Sequence, residues 1–194
     1  MTHTIAAPAT AELEVRRSRF LGVVVPVEGR EEALAVVARL RAEHPAAAHV
    51  CWALLAGGHS GMSDDGEPSG TAGRPILEVL RHHDLDGVLG AVVRYFGGVK
   101  LGAGGLVRAY TDAIALAVAG AEKVERIPEV EVRLEADYAD AERVRRWAEG
   151  EGCPEPAAEY GEAVVLVLRV PEATREAAVA ALADLSNGRV RVVE

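Results

Sequence analysis

The chain has 194 residues, of which 49% are hydrophobic and 26% are charged, and this composition is typical of a globular protein with one or two domains. The apolar content excludes an intrinsically disordered chain, and the absence of an 18-residue apolar run excludes a membrane-spanning helix. Only Cys51 and Cys153 are present, so no disulfide framework is expected. The first residues carry no secretory signal pattern, and we therefore expect a cytoplasmic protein.

The net charge of −9 is distributed unevenly. Residues 1–124 carry 12 basic and 14 acidic side chains, whereas residues 125–194 carry 9 and 16. Neither part is a basic arm, so any nucleic-acid surface has to be a local patch. The chain has 19 Arg, 2 Lys, one Asn and no Gln. Such usage fits a thermophile, which avoids thermolabile amides, and equally a GC-rich genome.

The first half of the chain alternates predicted strands and helices. Residues 19–27 are β-branched and aromatic and predict a strand. Residues 31–43 place apolar side chains on one helical face and predict a helix. Residues 48–57 predict a second strand, and residues 59–74 form a polar, glycine-rich segment. Residues 75–82 predict a short helix that begins with proline, where no backbone N–H is needed.

A third strand is predicted at residues 87–96, which are almost continuously apolar, as in a strand buried on both faces. Residues 97–105 contain five glycines and are predicted to form a loop, which we call the glycine loop. Residues 106–120 then predict a helix that is apolar on nearly all sides.

A second domain is predicted after residues 126–128, where a proline separates a helix from a strand. Its predicted elements are a strand at 129–136, a helix at 139–149, a hairpin formed by 156–160 and 163–170, a helix at 172–185 and a strand at 189–193. This β-α-β-β-α-β order is that of a ferredoxin-like domain. The sequence therefore predicts an α+β protein with domains at residues 1–126 and 127–194.

The segment Ser63-Asp-Asp-Gly-Glu-Pro-Ser-Gly-Thr-Ala-Gly-Arg-Pro75 carries the first candidate site. We call residues 63–74 the acidic loop. Its candidate polar residues are Asp64, Asp65, Glu67, Ser69, Thr71 and Arg74. Three carboxylates so close together can hold Mg²⁺ or supply a general base, but they can equally form a solvated turn. The spacing matches no metal-binding motif, so no metal site is predicted.

The glycine loop and its flanks carry the second candidate site. The candidate anion-binding residues are Arg94, Gly97, Gly98, Lys100, Gly102, Gly104, Gly105 and Arg108. Glycines can turn backbone N–H groups toward an anion at a helix N-terminus, although they can also serve close packing. The spacing fits neither a P-loop nor a dinucleotide-binding motif.

Arg94 interrupts an apolar run, and a buried guanidinium needs a partner. A carboxylate of the acidic loop is the natural candidate, so we expect the two loops to face each other. His49 and Cys51 share one face of a strand, where they are either a nucleophile pair or core residues. Tyr95, Phe96 and Tyr110 flank the glycine loop and either stack on bases or pack in the core.

At these two segments the sequence resembles the YigZ/IMPACT family. The resemblance rests on residues 63–75 and 93–110, and Ser18-Arg-Phe20 and His49-x-Cys51 also fit the family pattern. It implies a first domain like the left-handed βαβ fold of a small-subunit ribosomal protein. It also implies a second, ferredoxin-like domain like one in elongation factor G. Eukaryotic members regulate translation by binding the ribosome-associated activator of a starvation kinase. They carry an RWD domain, whereas this chain carries the ferredoxin-like one.

Two functional hypotheses follow. The first is a translation-associated binding or regulatory protein that contacts RNA or a ribosome-bound partner through Arg94, Lys100 and Arg108. The alternative is an enzyme acting on a small phosphorylated or nucleotide substrate, with phosphate in the glycine loop and a base or Mg²⁺ ligand in the acidic loop. No nucleophile–base pair is identifiable, so enzymatic activity and catalytic residues stay open. No cofactor is predicted, and the loops can also simply brace each other.

Overall fold

The structure is a computed structural model that describes residues 2–193. The chain divides between Arg126 and Ile127 into two compact units, which we call the N-terminal and C-terminal units. Each combines helices with antiparallel strands, so the protein belongs to the α+β class. Among residues 2–193, no helix has the length and apolar character needed to cross a membrane.

The N-terminal unit is built on a five-stranded antiparallel sheet. The strands of the unit are, in chain order, β1 (His3–Ile5), β2 (Ala9–Val15), β3 (Ser18–Pro26), β4 (His49–Ala56), β5 (His59–Ser63), β6 (Val88–Tyr95) and β7 (Lys123–Glu125), and β2 to β6 form the sheet. Its helices are α1 (Arg30–Glu43), α2 (Gly73–His82) and α3 (Ala103–Ala119). The sheet has the order β2-β3-β6-β4-β5, while β1 pairs separately with β7. Strand β6 therefore lies between two strands that precede it in the sequence.

Helices cover both faces of this sheet. The apolar face of α1, including Val36 and Leu40, packs with Trp52 on one side. On the other side, Ile76 of α2 and Ile114 of α3 belong to the cluster that covers the opposite face. Strand β6 is buried from Val88 to Arg94, which confirms the prediction of a strand enclosed on both faces.

A glycine lets α3 lie close to the sheet. A Cβ atom at Gly22 of β3 would lie 2.3 Å from the carbonyl oxygen of Ala113 in α3. No side chain can occupy that position without moving the helix, because real Cβ atoms do not approach a backbone oxygen so closely.

Several strands of this unit were not predicted, and they are the polar or short ones. Strand β5 lies within the segment predicted to be a polar loop, because an exposed edge strand carries little apolar signal. Strands β1, β2 and β7 were missed as well, since β1 and β7 have three residues each and β2 is a half-exposed edge. Helix α3 begins at Ala103 rather than at residue 106. Gly104 and Gly105 are thus helical residues, not loop residues.

The C-terminal unit has the ferredoxin-like topology. Its strands are β8 (Glu129–Ala136), β9 (Ala157–Tyr160), β10 (Val164–Pro171) and β11 (Arg191–Val193), and its helices are α4 (Tyr138–Gly150) and α5 (Arg175–Leu185). The sheet order is β11-β8-β10-β9, with every neighbouring pair antiparallel. The helices bury Val144 and Leu182 against Leu134, Leu166 and Leu168.

Candidate functional site

Asp64 holds the acidic loop against the start of α2. Its Oδ1 accepts hydrogen bonds from the backbone N–H groups of Ala72 (3.0 Å) and Gly73 (2.8 Å), and its Oδ2 accepts one from Gly70 (2.8 Å). Burial raises the pKa of the Asp64 carboxyl, but these three donors outweigh it and lower the pKa below its ordinary value of 3.8. The Asp64 carboxylate thus caps the N-terminus of α2, because Ala72 at the N-cap position has no side chain that can accept a hydrogen bond.

Asp64→Asn is expected to lower the free energy of unfolding by about 1 kcal/mol at pH 7, because the amide has no negative charge and only one acceptor oxygen for the three N–H donors. A carboxyl with a depressed pKa stabilises the fold above its unfolded-state pKa, and this contribution disappears as the pH falls through the folded-state pKa. The difference between wild type and variant should therefore shrink below about pH 4. Urea unfolding at several pH values measures it, with Asp112→Asn as the control. A difference that stays constant with pH would contradict this assignment.

Asp65 joins the acidic loop to two other elements. Its Oδ1 accepts from Arg41 Nη2 of α1 and its Oδ2 accepts from the backbone N–H of Val50 in β4, both at 2.6 Å. Its backbone has a φ of +44°, a left-handed conformation that few non-glycine residues adopt. Both carboxylate oxygens of Asp65 therefore accept hydrogen bonds from the protein, and its backbone conformation shapes the acidic loop.

Glu67 is the buried partner of Arg94. Its Oε1 accepts from Arg94 Nη1 at 2.5 Å and from the Tyr110 hydroxyl at 2.8 Å, and all three side chains are buried. The guanidinium also lies over the rings of Phe20 and Phe96, at 5.4 and 5.6 Å from their centroids. The expectation that a carboxylate of the acidic loop pairs with Arg94 is confirmed. Arg94 is only 5% exposed, so it positions the loop rather than meeting a large ligand.

His49 and Cys51 both contact the backbone of the acidic loop. Cys51 Sγ donates to the carbonyl oxygen of Asp64 at 3.0 Å, and His49 Nδ1 lies 2.8 Å from the carbonyl oxygen of Asp65. Burial raises the pKa of the Cys51 thiol to about 12, so the thiol is protonated at neutral pH. The core interpretation of these residues, rather than the nucleophile pair, fits this geometry.

The remaining polar residues of the acidic loop divide between turn and surface. The Thr71 hydroxyl is buried and donates to the carbonyl oxygen of Pro68 at 2.6 Å, whereas Ser69 is exposed. Arg74 is exposed in the first turn of α2, where it lines a groove of about 740 Å³ together with Val79 and Val107. In the part of the chain that the structure describes, no three metal-binding side chains cluster.

The glycine loop and the first turns of α3 present two cations without acidic partners among residues 2–193. Lys100 and Arg108 are exposed, and neither makes an ion pair or hydrogen bond with any of residues 2–193. Gly102, with a φ of +74°, precedes α3, and no described side chain caps that helix N-terminus. The acidic loop is therefore anchored to β6 through the Glu67–Arg94 pair rather than to the glycine loop itself. Lys100 and Arg108 are left available for a ligand.

The sequence reasoning missed one neighbour of the glycine loop. The backbone of Gly97 packs directly on the β2–β3 turn, since a Cβ there would lie 2.0 Å from the carbonyl carbon of Arg17. The Gly97 N–H also donates to Ser18 Oγ at 3.1 Å. The Arg16-Arg17 pair that precedes Ser18-Arg-Phe20 was the available signal, and it places two more arginines beside this loop.

Comparison with known proteins extends the resemblance over nearly the whole chain. The Impact N-terminal domain matches residues 16–118, and a domain of unknown function (DUF1949) matches residues 134–189. The chain is 36% identical to the IMPACT family member YigZ of Escherichia coli (strain K12) over 97% of this chain and 95% of that protein. An IMPACT family member of Thermus thermophilus is 41% identical, with coverages of 92% and 98%.

A solved structure gives the same result at the level of the fold. The crystal structure of a hypothetical protein superposes with a TM-score of 0.80 at 34% identity. The superposition covers 99% of this chain and 96% of that one, so it includes both units.

Proposed function

Because the chain belongs to the IMPACT family, we propose that it is a translation-associated binding protein that contacts RNA or a ribosome-bound partner through the glycine loop. One observation carries the proposal. In a chain with a net charge of −9, Lys100 and Arg108 stand exposed without acidic partners among residues 2–193. Phosphate groups are the ligands that such cations attract, and the uncapped N-terminus of α3 adds partial positive charge.

The C-terminal unit offers a poorer surface for RNA. The sheet face opposite its helices carries Glu131, Glu135 and Arg133 on β8 and Val165 and Val167 on β10. Among the described strand residues of this face none is aromatic, so the face lacks the rings on which RNA-binding sheets of this topology stack bases.

Arg94 was predicted to contact the ligand directly. It is buried and paired with Glu67, so it is left out of the proposed contact surface.

Lys100→Ala/Arg108→Ala is expected to weaken salt-sensitive binding to ribosomes. Each phosphate contact that is lost lowers the slope of log affinity against log salt by about one unit, so the double variant should lose one to two units. Co-sedimentation of the protein with purified ribosomes over a salt series measures the slope. Arg39→Ala/Arg81→Ala removes the same charge from exposed ion pairs elsewhere and is the matched control. Equal binding by wild type and Lys100→Ala/Arg108→Ala would refute the role of the loop.

The alternative enzyme has one structural feature in its favour, the groove lined by Arg74. Its difficulty is the acidic loop, because Asp64, Asp65 and Glu67 already accept hydrogen bonds from the protein itself. A base or Mg²⁺ ligand has to give up such contacts before it can act. Absence of ribosome binding by a folded wild-type protein would favour this alternative and direct the search to small phosphorylated ligands.

A further inference from the structure

The turn that joins β2 and β3 is strained. It consists of only Arg16 and Arg17, since Val15 and Ser18 form the last pair of the hairpin. Both residues have positive φ angles, +47° and +68°. A two-residue hairpin with this backbone favours Asn-Gly or Gly-Gly, because other side chains meet a steric penalty there.

The same sheet contains the unstrained version of this turn. Strands β4 and β5 are also joined by two residues, Gly57 and Gly58, with φ angles of +57° and +78°. The chain therefore places glycines at one tip and arginines at the other, although the two backbones are alike. Strain of this kind is found where a side chain has a function to serve.

The two arginines of this turn carry uncompensated charge. Both side chains are exposed, and neither forms an ion pair or hydrogen bond with any residue that the structure describes. The next arginine along the strand is different, because Arg19 binds both carboxylate oxygens of Glu12 at 3.0 and 3.2 Å. On this hairpin, the positive charge without a described acidic partner is thus confined to the β2–β3 turn.

An exposed aromatic ring and a lysine accompany these charges. Gly97 packs on the backbone of Arg17, and the residue before it, Phe96, is 52% exposed with Arg94 against one face of its ring. Lys100 lies three residues after Gly97, so the Cα atoms of these two residues are within about 11 Å of each other. The surface formed by Arg16, Arg17, Phe96 and Lys100, which we call the hairpin surface, combines cations with an aromatic ring that is about half exposed.

We propose that the hairpin surface binds single-stranded RNA, with backbone phosphates on Arg16 and Arg17 and an unpaired base stacked on Phe96. The inference rests on the proposed function and specifies its ligand. A duplex supplies phosphates but keeps its bases stacked inside, whereas a single strand can offer a base to a ring. An acidic peptide would match the charge but has no planar base for Phe96.

Arg16→Asn/Arg17→Gly separates charge from folding. Asn-Gly is the preferred sequence for this turn, so the variant should unfold at a higher temperature than wild type while it binds a labelled single-stranded RNA 12-mer more weakly. Two lost phosphate contacts should lower the salt slope by about 1.4 units. Arg16→Lys/Arg17→Lys keeps the charge and should bind nearly as wild type. Unchanged RNA affinity of Arg16→Asn/Arg17→Gly would overturn the proposal.

Phe96→Ala tests the stacking directly. It should weaken binding of the single-stranded 12-mer by about 5- to 150-fold and leave binding of the same sequence as a duplex unchanged. Equal losses on both probes, or no loss on either, would overturn the stacking. Polyglutamate that competes as well as the 12-mer at equal salt would overturn the choice of RNA as ligand. Ribosome binding that is lost in Lys100→Ala/Arg108→Ala but retained in Arg16→Asn/Arg17→Gly would support the proposed function and overturn the role of the hairpin surface.

Discussion

Replacing Glu67 with alanine is expected to lower the free energy of unfolding of the N-terminal unit by about 3–5 kcal/mol. The loss arises because Arg94, which is 5% exposed, would keep its charge without its carboxylate partner. The Tyr110 hydroxyl would lose its acceptor in the same interior. The acidic loop would lose its buried anchor, although Asp64 and Asp65 would still hold it elsewhere.

Urea unfolding followed by tryptophan fluorescence measures this loss. Trp52 lies in the N-terminal unit and Trp147 in the C-terminal unit, so a Trp147→Phe background makes the signal specific for the first. Glu78→Ala, which breaks an exposed pair with Arg81, should cost less than about 1 kcal/mol. Glu67→Leu/Arg94→Leu should be more stable than Glu67→Ala, because neither charge is then stranded. A loss below about 1 kcal/mol for Glu67→Ala would show that the pair is not desolvated.

Gly97→Ala is expected to be the most damaging glycine substitution near the site. The new Cβ would lie 2.0 Å from the carbonyl carbon of Arg17, so either the glycine loop or the β2–β3 turn has to move. Overpacking of this kind typically costs about 1–3 kcal/mol, and the cost here should reach about 3 kcal/mol because the obstacle is backbone. RNA binding should fall with it, since the hairpin surface depends on this contact.

Gly104→Ala is the matched control in the same segment. Gly104 lies in the first turn of α3, and apart from its chain neighbours and the backbone of α3, no described heavy atom lies within 4 Å of the position that a Cβ would occupy there. Alanine should therefore stabilise the helix by about 0.5–1 kcal/mol. Thermal unfolding of both variants gives the comparison. Similar stabilities for Gly97→Ala and Gly104→Ala would mean that the close approach of the two backbones is not a constraint.

Elements with strong periodicity were predictable from the sequence. Strand β8 alternates polar and apolar residues over Glu129–Ala136, and its predicted limits are the observed ones. Strand β6 was predicted from its continuous apolar run, and the partner of Arg94 from the need to neutralise a buried charge. The sequence could not tell which of three carboxylates fills that role, because Glu67 and Arg94 are 27 positions apart and the choice depends on tertiary packing.

The parts that escaped prediction depend on distant contacts. Strand β2 has mixed, half-exposed residues, and its identity as a strand comes from pairing with β3. The Arg16-Arg17 pair is visible in the sequence, but its position beside the glycine loop depends on the packing of Gly97 on the β2–β3 turn. Gly104 and Gly105 resemble loop residues because glycine disfavours helices, yet the first turn of a helix tolerates them once the apolar remainder of α3 is docked.

The position of β6 between β3 and β4 has a consequence for biosynthesis. Before β6 is made, β3 can form a hairpin with β2, and β4 can form one with β5. A hairpin closes in roughly 1–10 μs. Translation from Ser63, where β5 ends, to Val88, where β6 begins, takes about 1–5 s at roughly 5–20 residues per second. During that interval two hairpins wait with unpaired inner edges, which are templates for association with other chains. The rate at which the ribosome translates the α2 segment therefore governs how long the nascent sheet stays prone to aggregation.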